Sequence, residues 1–319
     1  MKPLSELLRL PGAVPLTTGI LTFVFVWEGH SPPDFPADFD YFWTAGRAVL
    51  QGEDPYAAVR EGVKAGTLRW PLYYPATAGV VMAPFGALPH RVAVSLFTAL
   101  GMLFLAWSVE RGPSWRRWIV LSAPAIQNVL LGQWSPWLTA AVGLPWLGLV
   151  WTAKPTVGLA LFAGWPSRWA LYGGLAILFL SLLLMPEWPA EWIAAVRSTP
   201  QYLAPVQRPG GALLLLAFLR WRRPEARMLG VLSLVPHTAG LYESLPLLLV
   251  PRTGRRFAAL MGLEYLAAVL AYTVVRPGNV AGMLDAGWVY FLCLVYLPCL
   301  WMVLKDPQPP TKTPDPTGS

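Results

Sequence analysis

Long apolar stretches alternate with short polar or basic segments along most of this chain. An apolar run of ~20 residues is long enough to cross a bilayer as a helix, and runs of this kind recur from the first residues to about residue 304. Several are shorter, so some are expected to be broken, re-entrant or merged. The candidate spans are 12–28, 76–89, 91–109, 118–132, 134–151, 155–166, 169–186, 211–220, 226–237, 243–251, 257–275 and 284–304.

Composition agrees with this pattern. Apolar residues make up 55% of the 319 residues and charged residues only 13%, which is about half the charged share of a soluble domain. The pattern predicts an all-α, polytopic transmembrane bundle of roughly 10–13 spans. We expect a single transmembrane domain over residues 1–304, and a disordered cytoplasmic tail over residues 305–319 that is rich in Pro and Thr.

The net charge of +7 is distributed as short basic clusters beside apolar segments, which indicates membrane anchoring rather than nucleic-acid binding. With the N-terminus inside, residues 29–75 and 187–210 form two outer loops. Arg116, Arg117 and Lys154 then fall outside, against the charge rule. Either a span is miscounted there, or these cations have a function. The basic positions expected in the cytoplasm are His90–Arg91, Arg168, Arg220–Arg227, Arg252–Arg256 and Lys305.

The first outer loop contains an amphipathic helix. Its apolar positions recur at helical spacing, and Gly52 stands where a helix C-cap belongs, followed by Pro55. We expect this helix to lie on the outer membrane surface, with Asp38 and Asp40 at the mouth of the bundle. The apolar face consists of Phe39, Phe42, Gly46, Val49 and Leu50, and the polar face of Asp40, Thr44, Arg47 and Gln51.

Four stretches together resemble glycosyltransferase family 87. The run Asp38-Phe39-x-x-Phe42-x-x-Ala45, with Leu50, Gly52 and Pro55-Tyr56, is similar to the first outer loop of that family. Three further stretches resemble later motifs of the family, and they occur in the same order. The first is Tyr73-Tyr74-Pro75 with Ala83-Pro84-Phe85 and Leu88-Pro89, the second is Asn128-x-x-x-Gly132-Gln133 with Lys154-Pro155, and the third is Pro236-His237 with Tyr242-Glu243. The sequence departs from the family pattern at Ala76, at Trp134-Ser135 and at Glu243.

The resemblance implies a GT-C fold and an inverting membrane glycosyltransferase. Such an enzyme takes a sugar, for which mannose is one candidate, from a polyprenyl-phosphate donor to a lipid, glycan or protein acceptor. The expected site faces outward from the bacterial cytoplasmic membrane, among membrane lipids, and no cofactor is expected. Asp38 matches the catalytic aspartate of the family. The candidate substrate-binding residues are Asp40, Arg47, Tyr74, Lys154, His237 and Glu243.

Each candidate has a simpler interpretation. A base must remove the acceptor proton and a cation must hold the leaving phosphate, roles for which Asp38 and Lys154 are suited. Asp38 is also placed to be only a helix N-cap. Asp38-Phe39-Asp40 mimics a metal-binding Asp-x-Asp, but a lipid monophosphate has no diphosphate that demands Mg²⁺, so no metal is expected.

Three further interpretations stay open at this point. Arg116 and Arg117 are expected to reach a nearby interface, and His237 to be either a structural group or a ligand to substrate. Glu264 interrupts an apolar span, which suggests a function or a pairing with Arg255 or Arg256. A secondary transporter or lipid flippase is the alternative from another class, although the sequence shows no internal repeat. A non-catalytic relative of the transferases is a third possibility.

Overall fold

The computed structural model describes residues 12–29, 38–198, 203–237, 240–274 and 287–307, and every regular element in these ranges is helical. The helices are α1 Ala13–Gly29, α2 Phe39–Gln51, α3 Pro55–Lys64, α4 Ala76–Gly86, α5 His90–Glu110, α6 Ala123–Leu131, α7 Ser135–Ala140, α8 Pro155–Gly164, α9 Arg168–Leu184, α10 Trp188–Arg197, α11 Pro224–Leu234, α12 Gly254–Val274 and α13 Gly287–Lys305. The 3₁₀ helices are η1 Ser114–Leu121, η2 Pro145–Thr152, η3 Pro205–Gln207, η4 Gly211–Arg220 and η5 Leu241–Leu249.

The helices α1 and α5 form an antiparallel pair. Near the middle, Gly19 lies against Leu103, and its missing side chain lets the two helices approach closely. At one end the Gly12 amide donates to the Glu110 carboxylate at 3.3 Å. At the other end the Arg91 guanidinium donates to the Trp27 carbonyl at 3.0 Å. The pair therefore defines two ends of the bundle, one at Glu110 and one at Arg91.

The end at Glu110 is strongly basic, and we call it the basic end. Arg116 donates to the carbonyls of Leu249 and Pro251, and Arg227 donates to the carbonyl of Gly164 at 2.7 Å. The cations there are Arg111, Arg116, Arg117, Arg168, Arg220, Arg222, Arg223, Arg227, Arg252, Arg255, Arg256 and Lys305. Within the described ranges, few acids accompany them: Glu110, Glu225 and Asp306. This asymmetry is typical of a cytoplasmic face.

A buried arginine ties the last helix to the rest of the basic end. The Arg223 side chain is 0% exposed and donates to the Val303 carbonyl at 2.8 Å. It also lies 3.7 Å from the carboxylate of Asp306, which pairs in turn with Arg256. Asp306 belongs to the predicted disordered tail, whose residues from 308 on lie outside the described ranges. The start of that segment is thus held by ion pairs.

The expected span over residues 76–89 is wrong. The helix α4 has 11 residues, which gives about 16 Å of length, half of what a bilayer crossing needs. It packs along α2, and a methyl group on Gly86 would come within 2.6 Å of the Arg47 backbone nitrogen. His90, expected in the cytoplasm, contacts Asp40 of the first outer loop at 2.6 Å. Residues 38–90 therefore begin and end at the same end of the bundle.

This correction also accounts for two of the basic exceptions. Once α4 does not cross, Arg116 and Arg117 belong to the basic end rather than to the opposite one. The structure thus favours the interpretation that one span was miscounted, and it gives neither arginine a place near Asp38. Arg117 lies 4.0 Å from Glu110, and Arg116 holds the carbonyls of the loop before α12.

Full-length crossings by single straight helices are few within the described ranges. By length and composition, α5 and α13 are apolar and long enough to cross a membrane. The helices α9 and α10, which meet at an angle of 99°, add a third crossing if the two together form one span. Elsewhere the chain runs between the two ends in shorter pieces, such as η1 followed by α6. The predicted 10–13 spans therefore correspond mostly to short or broken elements.

The amphipathic helix of the first outer loop is present as α2. Its last turn ends at Gly52, which adopts the left-handed conformation with φ 72°, as the sequence predicted. Phe39 and Phe42 are buried, whereas Leu50, expected on the apolar face, is 53% exposed. The apolar face packs on α4 and α5, so that the first residue before the helix, Asp38, is directed into the bundle.

Candidate functional site

Five of the predicted site residues lie together at the end opposite the basic end. They come from separate parts of the chain: the start of α2, the loop before α4, the residue before α8, the segment after α11, and η5. Their convergence follows from the back-and-forth path of the chain, which brings these turns to one end. The residues are Asp38, Tyr74, Lys154, His237 and Glu243.

Asp38 does not cap its helix. Its side chain makes no hydrogen bond to the first backbone amides of α2 and instead accepts from the Gln133 amide nitrogen at 2.8 Å. The capping interpretation is therefore wrong. Burial raises the pKa of Asp38, while the hydrogen bond from Gln133 and the charge of Lys154 act against that shift. A carboxyl group with a raised pKa is better matched to proton transfer near neutral pH.

Lys154 and Glu243 form a buried ion pair. The Lys154 nitrogen lies 2.5 Å from the Glu243 carboxylate, and the two residues are 7% and 1% exposed. The ammonium is 5.4 Å from the ring centre of Tyr74 and 4.8 Å from that of Tyr242. Burial disfavours the Lys154 charge, but Glu243 and Tyr74 outweigh it and raise the pKa of Lys154. The lysine is therefore held as a cation.

Gln133 connects Asp38 to this ion pair. Its side-chain oxygen lies 3.4 Å from the Lys154 nitrogen and accepts from the Tyr74 hydroxyl at 3.3 Å. The preceding Gly132 ends α6 in the left-handed conformation with φ 63°, which turns Gln133 toward α2. A carboxylate, an amide, a phenol and an ammonium thus form one continuous hydrogen-bonded chain.

Asn128 fixes the segment that carries Glu243. Its amide nitrogen donates to the Tyr242 carbonyl at 3.0 Å, and its oxygen accepts from the Ser135 amide at 3.2 Å. Asn128 therefore ties helices together.

Both ring nitrogens of His237 have hydrogen-bonding partners in the protein. Its Nδ1 lies 2.8 Å from the Val235 carbonyl, which only accepts, so Nδ1 carries a proton and donates. The other ring nitrogen lies 3.1 Å from the Tyr296 hydroxyl. Both nitrogens are thus engaged by the protein, while one face of the ring borders a cavity.

That cavity has a volume of about 350 Å³ and combines aromatic walls with the buried ion pair. Trp192 of the second outer loop reaches it and donates to the Tyr73 carbonyl at 2.9 Å. Asp38 and Gln133 do not line it: Gln133 lies one hydrogen bond behind the lining residues Tyr74 and Lys154, and Asp38 lies one further hydrogen bond behind Gln133. The lining residues are Tyr73, Tyr74, Pro75, Lys154, Pro155, Thr156, Trp192, Val196, Pro236, His237, Tyr242 and Glu243.

Two predicted site residues lie elsewhere. Asp40 contacts His90 at 2.6 Å, and the guanidinium of Arg47 lies 4.8 Å from the ring centre of Trp43. Neither residue lines the cavity, so the structure does not place them with the other candidates. The helical spacing explains this result, since positions 38 and 40 face different directions on a helix. Asp38 and Asp40 accordingly have different partners.

The sequence interpretation missed the contact of Gln133 with Asp38 and the aromatic wall formed by Tyr242 and Trp192. Gln133 and Tyr242 both belong to motifs that carried the resemblance, which was the available signal. Trp192 lies within residues 187–210, the predicted second outer loop, for which the sequence analysis proposed no site residue. Glu264 is buried beside Ser244, away from the ion pairs of the basic end, where Arg256 pairs with Asp306.

Comparisons with known proteins find a partial similarity to enzymes that carry the same name in several bacteria. The chain is 26% identical over 121 residues to the CDP-diacylglycerol--glycerol-3-phosphate 3-phosphatidyltransferase of Escherichia coli (strain K12), covering 36% of this chain and 64% of the relative. The enzyme of the same name from Salmonella choleraesuis (strain SC-B67) is 26% identical over 120 residues, covering 35% and 63%. The chain thus matches less than two thirds of the length of these relatives. No family profile and no solved structure matches.

Proposed function

We propose that this protein is a membrane-embedded transferase that acts on a lipid carrying a phosphate group. The support is the cavity, which places a buried ammonium between aromatic walls at one end of an apolar bundle. Lysine is a good point-charge partner for phosphate. The curated relatives of the chain are, by name, phosphatidyltransferases, so that a membrane-lipid transferase agrees with that similarity.

The finer proposal is transfer of a sugar from a polyprenyl phosphate. The acceptor hydroxyl oxygen attacks the anomeric carbon while the bond from that carbon to the phosphate oxygen breaks. The proton of the acceptor passes to Asp38, and the phosphate leaves with the bonding electrons toward Lys154. The single observation that carries this proposal is the chain from Asp38 through Gln133 to Lys154, which joins a carboxylate to a cation.

Substrate binding must open a path to Asp38. Tyr74 and Gln133 separate its carboxylate from the cavity, so the proposal requires these two side chains to move when the lipid headgroup enters. Glu243 is a second carboxylate and lines the cavity directly, but it is paired with Lys154 at 2.5 Å. A phosphate at Lys154 competes with Glu243 for the same ammonium.

Phosphatidyl transfer is the second candidate function, and the partial similarity to phosphatidyltransferases favours it. It also joins a hydroxyl acceptor to a lipid phosphate, but the bond formed is to phosphorus rather than to a sugar carbon. The two candidates therefore share a phosphate-binding cation and differ in the donor that the cavity accepts.

The test compares both donors with purified protein in lipid nanodiscs. One arm supplies radiolabelled polyprenyl-phosphate sugars with a lipid extract as acceptor, and the other supplies CDP-diacylglycerol with labelled glycerol 3-phosphate. Wild type is compared with Asp38→Asn and with Glu53→Gln, an exposed acid of the same loop. We expect label from the sugar donor to reach a product with wild type and Glu53→Gln only. Full transfer by Asp38→Asn contradicts the role of Asp38, and product only from CDP-diacylglycerol replaces the sugar proposal.

A further inference from the structure

Gln133 is the side chain through which the ion pair in the cavity reaches Asp38. Its amide has one donating and one accepting end, and the surroundings require them in a fixed order. The oxygen faces the Lys154 ammonium at 3.4 Å and the Trp134 backbone amide at 3.4 Å, both of which only donate. The amide nitrogen must therefore point the other way, where it donates to Asp38 at 2.8 Å. A flipped amide would set donor against donor at two contacts.

We propose that Gln133 is a positioning residue that links the Lys154–Glu243 ion pair to the carboxylate of Asp38. The proposal deepens the proposed function, on which its kinetic part rests. When an anionic headgroup replaces Glu243 as the ion-pair partner of Lys154, the ammonium moves relative to the Gln133 oxygen. The amide of Gln133 then shifts, and the hydrogen bond from its nitrogen to Asp38 changes with it. The amide thereby couples occupancy of the cavity to a group that lies behind its wall.

Other charges also face Asp38, and the experiment must separate them from Gln133. After burial and the Gln133 hydrogen bond, the contributions to the pKa of Asp38 come from one cation, Lys154, and two acids, Glu243 and Asp40. Two phenols, those of Tyr41 and Tyr74, also interact with it. Gln133 donates a hydrogen bond to the carboxylate, so that its removal takes away a stabilising contact of the ionised form.

Infrared difference titration of the protein in lipid tests the proposal without any substrate. The band of the Asp38 carboxyl is assigned by its loss in Asp38→Asn. We expect Gln133→Leu to move its titration to higher pH, because the ionised form loses its donor. Gln133→Glu is expected to move it in the same direction by adding a negative charge. Gln127→Leu, which changes a glutamine inside α6, the helix that precedes Gln133, is the control and should titrate like wild type.

The outcomes distinguish a failure of the positioning role of Gln133 from a failure of the proposed transferase function. If Gln133→Leu titrates with wild type, or loses thermal stability while the titration stays in place, Gln133 is a structural residue and the proposal is overturned. If the titration moves while no donor is consumed by wild type, the positioning role stands and the proposed function fails. Where transfer is measured, we expect kcat of Gln133→Leu to fall about tenfold. The acid limb of its pH–rate profile should also be displaced to higher pH.

Discussion

The buried pair of Lys154 and Glu243 makes a quantitative prediction about stability. Replacing Glu243 by Gln leaves a lysine charge that is 7% exposed without its carboxylate. Removing one partner of a buried ion pair costs about 3–5 kcal/mol, because the remaining charge is not compensated. The Tyr74 hydroxyl and the Gln133 oxygen, at 3.3 and 3.4 Å, still accept from Lys154, which places the expected loss near the lower value.

For a chain of 319 residues, this loss corresponds to a fall in Tm on the order of 5 °C. The assay is thermal unfolding in detergent of protein in which the exposed Cys293 is replaced by Ser, followed by a thiol-reactive dye that detects the exposure of the buried Cys299. Lys154→Met is expected to cost a similar amount, and the double variant Lys154→Met with Glu243→Gln to recover about half or more, since no lone charge remains. Additive losses in the double variant would refute the pair, as would an unchanged Tm for Glu243→Gln.

Three further predictions concern the two ends of the bundle. Because burial raises the pKa of Asp38, the folded state binds its proton more tightly than the unfolded chain, and the resulting stability is lost as pH rises through the folded pKa. Asp38→Asn should therefore have a higher Tm than wild type at about pH 8, and this difference in Tm should vanish near pH 4. A difference in Tm that grows toward acid pH would contradict this reasoning. In a cysteine-free background, Glu53→Cys should react with an impermeant thiol reagent in intact cells and Arg255→Cys should not, and the reverse result would invert the proposed orientation. Gly86→Ala should lower stability by about 1–3 kcal/mol in the same dye assay, since the new methyl group meets the Arg47 backbone nitrogen at 2.6 Å, and an unchanged Tm would show that α2 and α4 separate easily.

Local features of the fold could be predicted from the sequence because local spacing determines them. The helix over 39–51 and its end at Gly52 follow from apolar positions one turn apart and from a residue that tolerates positive φ. The span at 76–89 failed for the opposite reason: an evenly apolar run of this length gives no period that distinguishes a crossing helix from a short buried one.

The site itself depends on contacts between distant parts of the chain. Asp38 and Gln133 are 95 residues apart, and no local pattern indicates that one accepts from the other. Motif order suggested Asp38, Lys154 and Glu243 as candidates, but only the folded structure shows that Lys154, before α8, and Glu243, in η5, form a pair. Asp40 shows that closeness in sequence does not predict a shared site: Asp38, two residues earlier, belongs to the candidate site, whereas Asp40 contacts His90.

The buried Arg223 has a consequence for assembly of the protein in the membrane. Its partners Val303 and Asp306 are synthesised about 80 residues later, so a newly inserted α11 carries a charge whose acceptors do not yet exist. Glu225, at 3.6 Å, is the acid among the described residues that is already present to neutralise it. The burial of Arg223 is therefore completed only when α13 packs against the rest of the basic end, and a chain truncated before Val303 leaves this arginine without these acceptors.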